Sequence, residues 1–122
     1  MINMTTAQLE KYCLSKKGAV RDFPFDHKTL VFKVAGKIFA LTNIIETPCA
    51  VNLKCDPGFA HFLRGKHKEI VPGYHMNKEH WNTVQVEDGT LETKLIKELI
   101  DQSYDLVVAS LPRAKRPTNS QL

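Results

Sequence analysis

Leu30-Val31-Phe32-Lys33-Val34-Ala35-Gly36-Lys37-Ile38-Phe39-Ala40-Leu41 decides the fold class. It holds two runs rich in β-branched and aromatic residues, Leu30 to Val34 and Ile38 to Leu41, joined by three residues with a glycine at their centre. That is the local signal of an antiparallel hairpin. Upstream, Val20 to Phe25 reads as an extended segment, and Pro24 restricts it to a sheet edge or a strand end because proline has no N–H to give to a ladder. Downstream, Ala50 to Cys55 alternates, with Val51, Leu53 and Cys55 on one side and Asn52 and Lys54 on the other. This is the pattern of a sheet covered on one face and open to water on the other. Thr83 to Val86 repeats the strand period.

Helical signals flank these strands. Thr5 and Gln8 form a capping box ahead of Leu9, Tyr12 and Cys13, and Gly18 ends that helix. Asp56 caps a second helix that starts at Pro57, turns Phe59, Phe62 and Leu63 inward and ends at Gly65. Arg64, Lys66, His67 and Lys68 then belong to an exposed connection. From Thr90 a third pattern runs through Leu91, Leu95, Leu99 and Leu106 to a stop at Pro112, about 30 Å of helix that a break near Ser103 would shorten. The expectation is one α+β domain over residues 1–112, an antiparallel sheet with helices packed on one face, followed by a basic, polar and flexible tail over 113–122.

The length of 122 residues suits a single core, and 43% hydrophobic with 25% charged residues is ordinary for a globular domain. The formal net charge of +4 is unevenly spread. Residues 1–86 carry 12 basic and 7 acidic side chains, whereas residues 87–112 carry 2 and 6. A basic excess confined to the first two thirds and the C-terminus points to an anionic partner, or to a solvated face. Three cysteines without paired spacing argue against a disulfide framework. With no apolar leader segment and no membrane span, the expected location is the cytoplasm.

The densest run of side chains that stack, donate or titrate is Gly73-Tyr74-His75-Met76-Asn77-Lys78-Glu79-His80-Trp81-Asn82-Thr83-Val84, which holds the only tryptophan. Pro72-Gly73 opens it as a turn and Thr83 to Val86 closes it at strand period, which places the cluster on a loop or short helix between them, where binding residues concentrate. This segment closely resembles the signature of the MmcQ/YjbR family, small bacterial proteins described as DNA-binding with a frataxin-like (CyaY-like) fold. Tyr12 to Ser15, Asp22 to Phe25, Leu30 to Leu41, Asn52 to Pro57 and Leu99 to Val107 fit the same family, so the resemblance covers about residues 5 to 112. Lys16-Lys17 departs from the apolar-then-proline pair that members often show before the glycine. The resemblance implies a two-layer sandwich of the CyaY/frataxin type and weak, largely sequence-independent binding of double-stranded DNA by a monomer.

On that reading the interface is the open sheet face and the signature loop. Lys54, Arg64, Lys66, Lys68 and Lys78 would meet phosphates, Tyr74 and Trp81 would stack, and Asn52, His75 and Asn82 would supply polar contacts. Each has a structural alternative: Trp81 as a packed anchor, Asn52 and Asn82 as partners of loop backbone, Cys13 and Cys55 as core hydrophobes. His75 and His80 with Cys49 and Cys55 match no closed zinc spacing, and residues 5–17 hold only Glu10 against three lysines, so no metal or cofactor is expected. No nucleophile elbow, paired Cys–His signature or phosphate loop marks an enzyme. A protein-interaction adaptor with a structural signature loop is the competing class.

Overall fold

The structure, a computed structural model, describes residues 4–73 and 76–117. The elements run α1 (Thr6–Leu14), β1 (Ala19–Asp22), β2 (Thr29–Val34), β3 (Lys37–Asn43), β4 (Ala50–Lys54), α2 (Pro57–Lys66), β5 (Ile70–Pro72), β6 (Trp81–Gln85) and α3 (Thr93–Ala109). All six strands join one antiparallel sheet in the order β1-β2-β3-β4-β6-β5. The helices bury their apolar stripes on one face of it, which makes a two-layer α+β sandwich.

The β2–β3 hairpin turns on Ala35 and Gly36, whose φ angles of 50° and 83° are the positive pair that a two-residue turn matched to strand twist requires. A bulge interrupts the hairpin. Phe32 pairs with Ala40 and Lys33 with Ile38, so Phe39 is the extra residue. Its insertion lets Phe39 and Ala40 both turn to the helices, where Phe39 packs edge-on against Tyr104 of α3 with ring centroids 5.2 Å apart.

The bulge also leaves backbone groups to be satisfied. Ladder pairing between β3 and β4 is recorded from Thr42↔Val51 to Ala40↔Leu53. One step further, the hydroxyl of Ser103 stands between the strands: it donates to the Phe39 carbonyl at 2.6 Å and accepts from the Lys54 N–H at 2.8 Å. This accounts for a polar, fully buried residue in the middle of α3, and α3 runs unbroken through the point where the sequence allowed a break.

Other expectations are corrected. Phe62 does not face inward: it is 57% exposed on the outside of α2, stacked on Phe59, while Ala60 and Leu63 enter the core. β5 was not anticipated. The tail is folded as far as Pro117: Arg113–Lys115 forms a 3-10 turn, and Arg116 donates to the carbonyls of Leu111 and Ala109 at 2.9 Å, satisfying orphan acceptors at the end of α3. Residues 118–122 lie outside the described residues.

Part-buried polar contacts tie elements together at two more points. Tyr12 donates to Asp101 at 2.6 Å and Lys16 reaches the same oxygen at 2.7 Å, joining α1 to α3. Burial, followed by that bond to the carboxylate, pushes the Tyr12 hydroxyl up to about 12. Under the turn before α3, Glu69 accepts from both the hydroxyl and the N–H of Thr90, which hold its carboxyl below the usual range. Gly89 permits this wrap, since a Cβ there would lie 2.9 Å from Glu69 Cγ.

Two predictions follow from these contacts. Ser103→Ala strands a carbonyl and an N–H in a dry interior and should lower unfolding free energy by roughly 2 to 4 kcal/mol, seen as a fall in the urea midpoint with unchanged slope. Thr90→Val removes the leading cause of the depressed Glu69 value. A depressed carboxyl contributes stability above its unfolded pKa of about 4.3 and loses it as pH falls through the lower folded value. The mutant should therefore melt below the wild type at pH 7, with the gap closing below about pH 4.

Candidate functional site

The signature loop is built from α2 outward. Arg64, on the last turn of α2, donates through Nε to the Asn82 side-chain oxygen at 2.7 Å, while its Nη2 reaches the carbonyls of Lys78 and Trp81. Asn77 folds the loop onto itself: its side-chain oxygen accepts from the N–H groups of Glu79 and His80, and its carbonyl accepts from those of His80 and Trp81. Gly73 closes the far end. Its N–H meets the Trp81 carbonyl at 2.8 Å, and a Cβ at this position would lie 2.8 Å from Trp81 Cβ, an approach only glycine allows. The His80 carbonyl, finally, accepts from Cys55 at 2.7 Å, which fixes the loop to the end of β4.

Residues 52, 54, 81 and 83 project from the face opposite the helices, because their neighbours Val51, Leu53, Asn82 and Val84 are buried. Lys54 stands directly across from Trp81, and Asn52 across from Thr83. Trp81 and Lys54 are both partly exposed, and Lys54 enters none of the ion pairs among the described residues. Asn52 accepts from the Thr83 hydroxyl at 2.6 Å. Three of the sequence candidates, Asn52, Lys54 and Trp81, thus share one surface, with exposed Lys78 on the adjoining loop.

Four others do not join them. Asn82 is 2% exposed on the helix side of β6, bonded to Arg64, so it cannot reach a base edge. Arg64 belongs to α2 rather than to an exposed connection, and its guanidinium already serves loop carbonyls. The Lys66 ammonium lies 5.6 Å from the centre of the outward Phe62 ring, in the helix layer. Lys68 is exposed on the turn between α2 and β5 and is not part of the Lys54–Trp81 row on β4 and β6. Tyr74 and His75 lie outside the described residues.

Sequence reasoning missed a cleft on the same open face. Its floor is Leu41, Ala50 and Asn52, Phe25 and Met76 stand at its sides, and its volume is about 380 Å³. A partial signal was available in Leu30-Val31-Phe32: consecutive apolar residues belong to a strand covered on both faces, and Val31, outside the helix-side core cluster, is buried and pairs with Leu41 of the cleft. All three cysteines are free and buried, and burial pushes the Cys13 thiol up to about 12. Among the described residues no group of three or more His, Cys, Asp or Glu side chains could hold a metal ion, and no helix is long and apolar enough to cross a membrane.

A six-stranded antiparallel sheet with three helices on one face, and a glycine-opened loop pinned between an arginine and an asparagine, define a class of small α+β domain. The chain belongs to the YjbR family, whose model matches residues 14–106. It is 40% identical over 119 residues to the uncharacterized protein YjbR of Escherichia coli K12, covering 98% of this chain and all of that one. It is 38% identical over 91 residues to YbdF of Escherichia coli O157:H7, covering 75% and 74%. Among solved structures, the crystal structure of Deinococcus radiodurans protein DR2400, with its DUF419 domain, superposes with a TM-score of 0.85 at 40% identity, covering 91% of this chain and 84% of that one. A Pseudomonas syringae crystal structure gives 0.73 at 32% identity, covering 84% and 98%.

Arg64→Lys tests the loop assembly. An ammonium cannot reproduce bonds that the guanidinium fork makes to Asn82 and to two carbonyls. The substitution should lower stability by about 2 to 3 kcal/mol and speed amide hydrogen exchange at Glu79, His80 and Trp81 more than in α1.

Proposed function

We propose that this YjbR-family domain, a sandwich of the CyaY/frataxin type, is a nucleic-acid-binding module rather than an enzyme. On this reading it acts as a monomer in the reducing cytoplasm and contacts double-stranded DNA weakly and with little sequence preference. The observation that carries the reading is the cross-strand pair of Lys54 and Trp81 on the open face: an ammonium outside the ion pairs among the described residues can meet a backbone phosphate, and the partly exposed tryptophan across from it can pack against the sugar–phosphate chain. Lys78 adjoins it, and the basic excess of the first 86 residues supplies the long-range field.

Because Arg64 is engaged by the loop and Lys66 lies in the helix layer, the phosphate contacts reduce to Lys54, Lys78 and at most Lys68. Two or three contacts correspond to a slope of log affinity against log salt of about −2 to −3, and to a dissociation constant of roughly 10⁻⁴ to 10⁻⁶ M at physiological salt. Fluorescence anisotropy of a labelled duplex across about 20 to 200 mM salt measures both. Lys54→Ala should make the slope shallower by about one unit and weaken all duplexes alike.

A second reading, a protein-interaction adaptor, draws on a different observation. Gly73, Asn77 and Arg64 all build the loop itself, and Phe25 and Ile45 stand 65% and 70% exposed nearby. It predicts no salt slope. No duplex binding at 20 mM salt, or binding indifferent to Lys54, would move the assignment to the adaptor.

A further inference from the structure

The cleft on the open face has the size and lining of a small-molecule site. Its volume of about 380 Å³ falls within the range of ligand pockets, roughly 300 to 1,000 Å³, and such pockets combine apolar walls with a few convergent polar groups. Here Leu41 and Ile38 supply apolar surface, and Phe25 and Met76 are side chains of the kinds that pack against ring faces.

The polar groups select further. The Asn43 side-chain oxygen accepts from the Ile45 N–H at 3.0 Å, which leaves its NH₂ for the cleft. The Asn52 oxygen is taken by Thr83, and of its two N–H donors one reaches the Leu41 carbonyl at 3.4 Å, leaving the other. Two amide donors therefore border the cleft. Among the described residues the one ionisable side chain lining it is Glu46, exposed at the rim, and none of its lining is cationic. The carboxylate at the mouth disfavours phosphate and carboxylate groups, while the donors inside call for an acceptor, so the arrangement favours a ligand that accepts at one edge and is neutral or positive at the other.

We propose that this cleft binds a flat, uncharged or cationic nitrogen heterocycle through its carbonyl or ring-nitrogen edge, with Phe25, Leu41 and Met76 around the ring and the amides of Asn43 and Asn52 as its polar contacts. The ring can belong to a free compound or to an unpaired base of a strand, and only the second source rests on the nucleic-acid reading. The Lys54–Trp81 row lies two residues along β4 and β6 from Asn52 and Thr83, about 7 Å away on the same face, so one strand can engage both.

Titrating ¹⁵N-labelled protein with adenosine, thymidine, 1-methyladenosine (a cation at neutral pH), AMP, a single-stranded oligonucleotide and a blunt duplex tests this. Ala50→Phe fills the floor, and Asn52→Leu removes one amide and serves if the first variant does not fold. Adenosine or thymidine should shift the amides of Leu41, Asn43, Asn52 and Thr83 with a dissociation constant of roughly 0.1 to 10 mM, and either variant should weaken this about tenfold or more. AMP should bind more weakly than adenosine, and 1-methyladenosine at least as tightly, with the cation's advantage lost in Glu46→Gln. If the single strand alone shifts these amides, and Ala50→Phe or Asn52→Leu abolishes it, the source is a base within a strand. No shift with any ring or single strand, binding indifferent to both variants, or AMP binding as tightly as adenosine would each overturn the proposal. The salt-dependent duplex measurement on Lys54→Ala stands apart from all three, so failure of the cleft and failure of the duplex-binding reading are distinguishable.

Discussion

One buried hydroxyl holds the two layers in register. Ser103 sits one step past the β3–β4 pairing, beside the residue that bulges from the β2–β3 ladder, and by bonding to Phe39 and Lys54 at once it converts the end of that ladder into a contact between helix and sheet. The bulge brings Phe39 into the core against Tyr104, and the serine keeps the backbone groups freed beside it from being stranded without water. The same bond fixes the backbone of Lys54, so the pairing of that lysine with Trp81 on the outer face is set from inside the molecule.

The signature loop depends on a similar economy of groups. Gly73, Asn77 and Asn82 serve the loop's own assembly. Gly73 is there because Trp81 lies against it, Asn77 because two N–H groups need an acceptor, and Asn82 because Arg64 needs a side-chain partner. Among the described candidates, what remains for an outside molecule is narrower than composition suggested: Trp81, Lys54, Asn52 and Lys78, together with the cleft beside them.

The hairpin, the alternation of β4, the Thr5 capping box and the Asp56–Pro57 start of α2 were all legible, because each depends on residues within a few positions of one another. The mate of Arg64 was not, since Asn82 is 18 residues away and reaches it only after α2 and β6 have docked. β5 has three residues and ends in proline, too short to show a period. Phe62 reads as core by type, yet the helix turns its neighbours Ala60 and Leu63 inward and leaves Phe62 to stack on Phe59. Lys54 and Asn52 were placed on the open face by period alone, whereas the cleft beside them needs two loops, at Phe25 and Met76, to meet over one sheet.

The edges of the sheet carry a consequence for how this domain can be approached. β5, on one side, offers three residues, the last without an N–H to give. β1, on the other, is four residues long; Arg21 pairs with Glu10 of α1, and Asp22 with Lys33 of β2. Short, charged or proline-ended borders are poor templates for an incoming strand, from another protein or from a second copy of the same chain. With both margins ill suited to strand addition, the broad surface the sheet offers is its open face, which presents side chains rather than backbone.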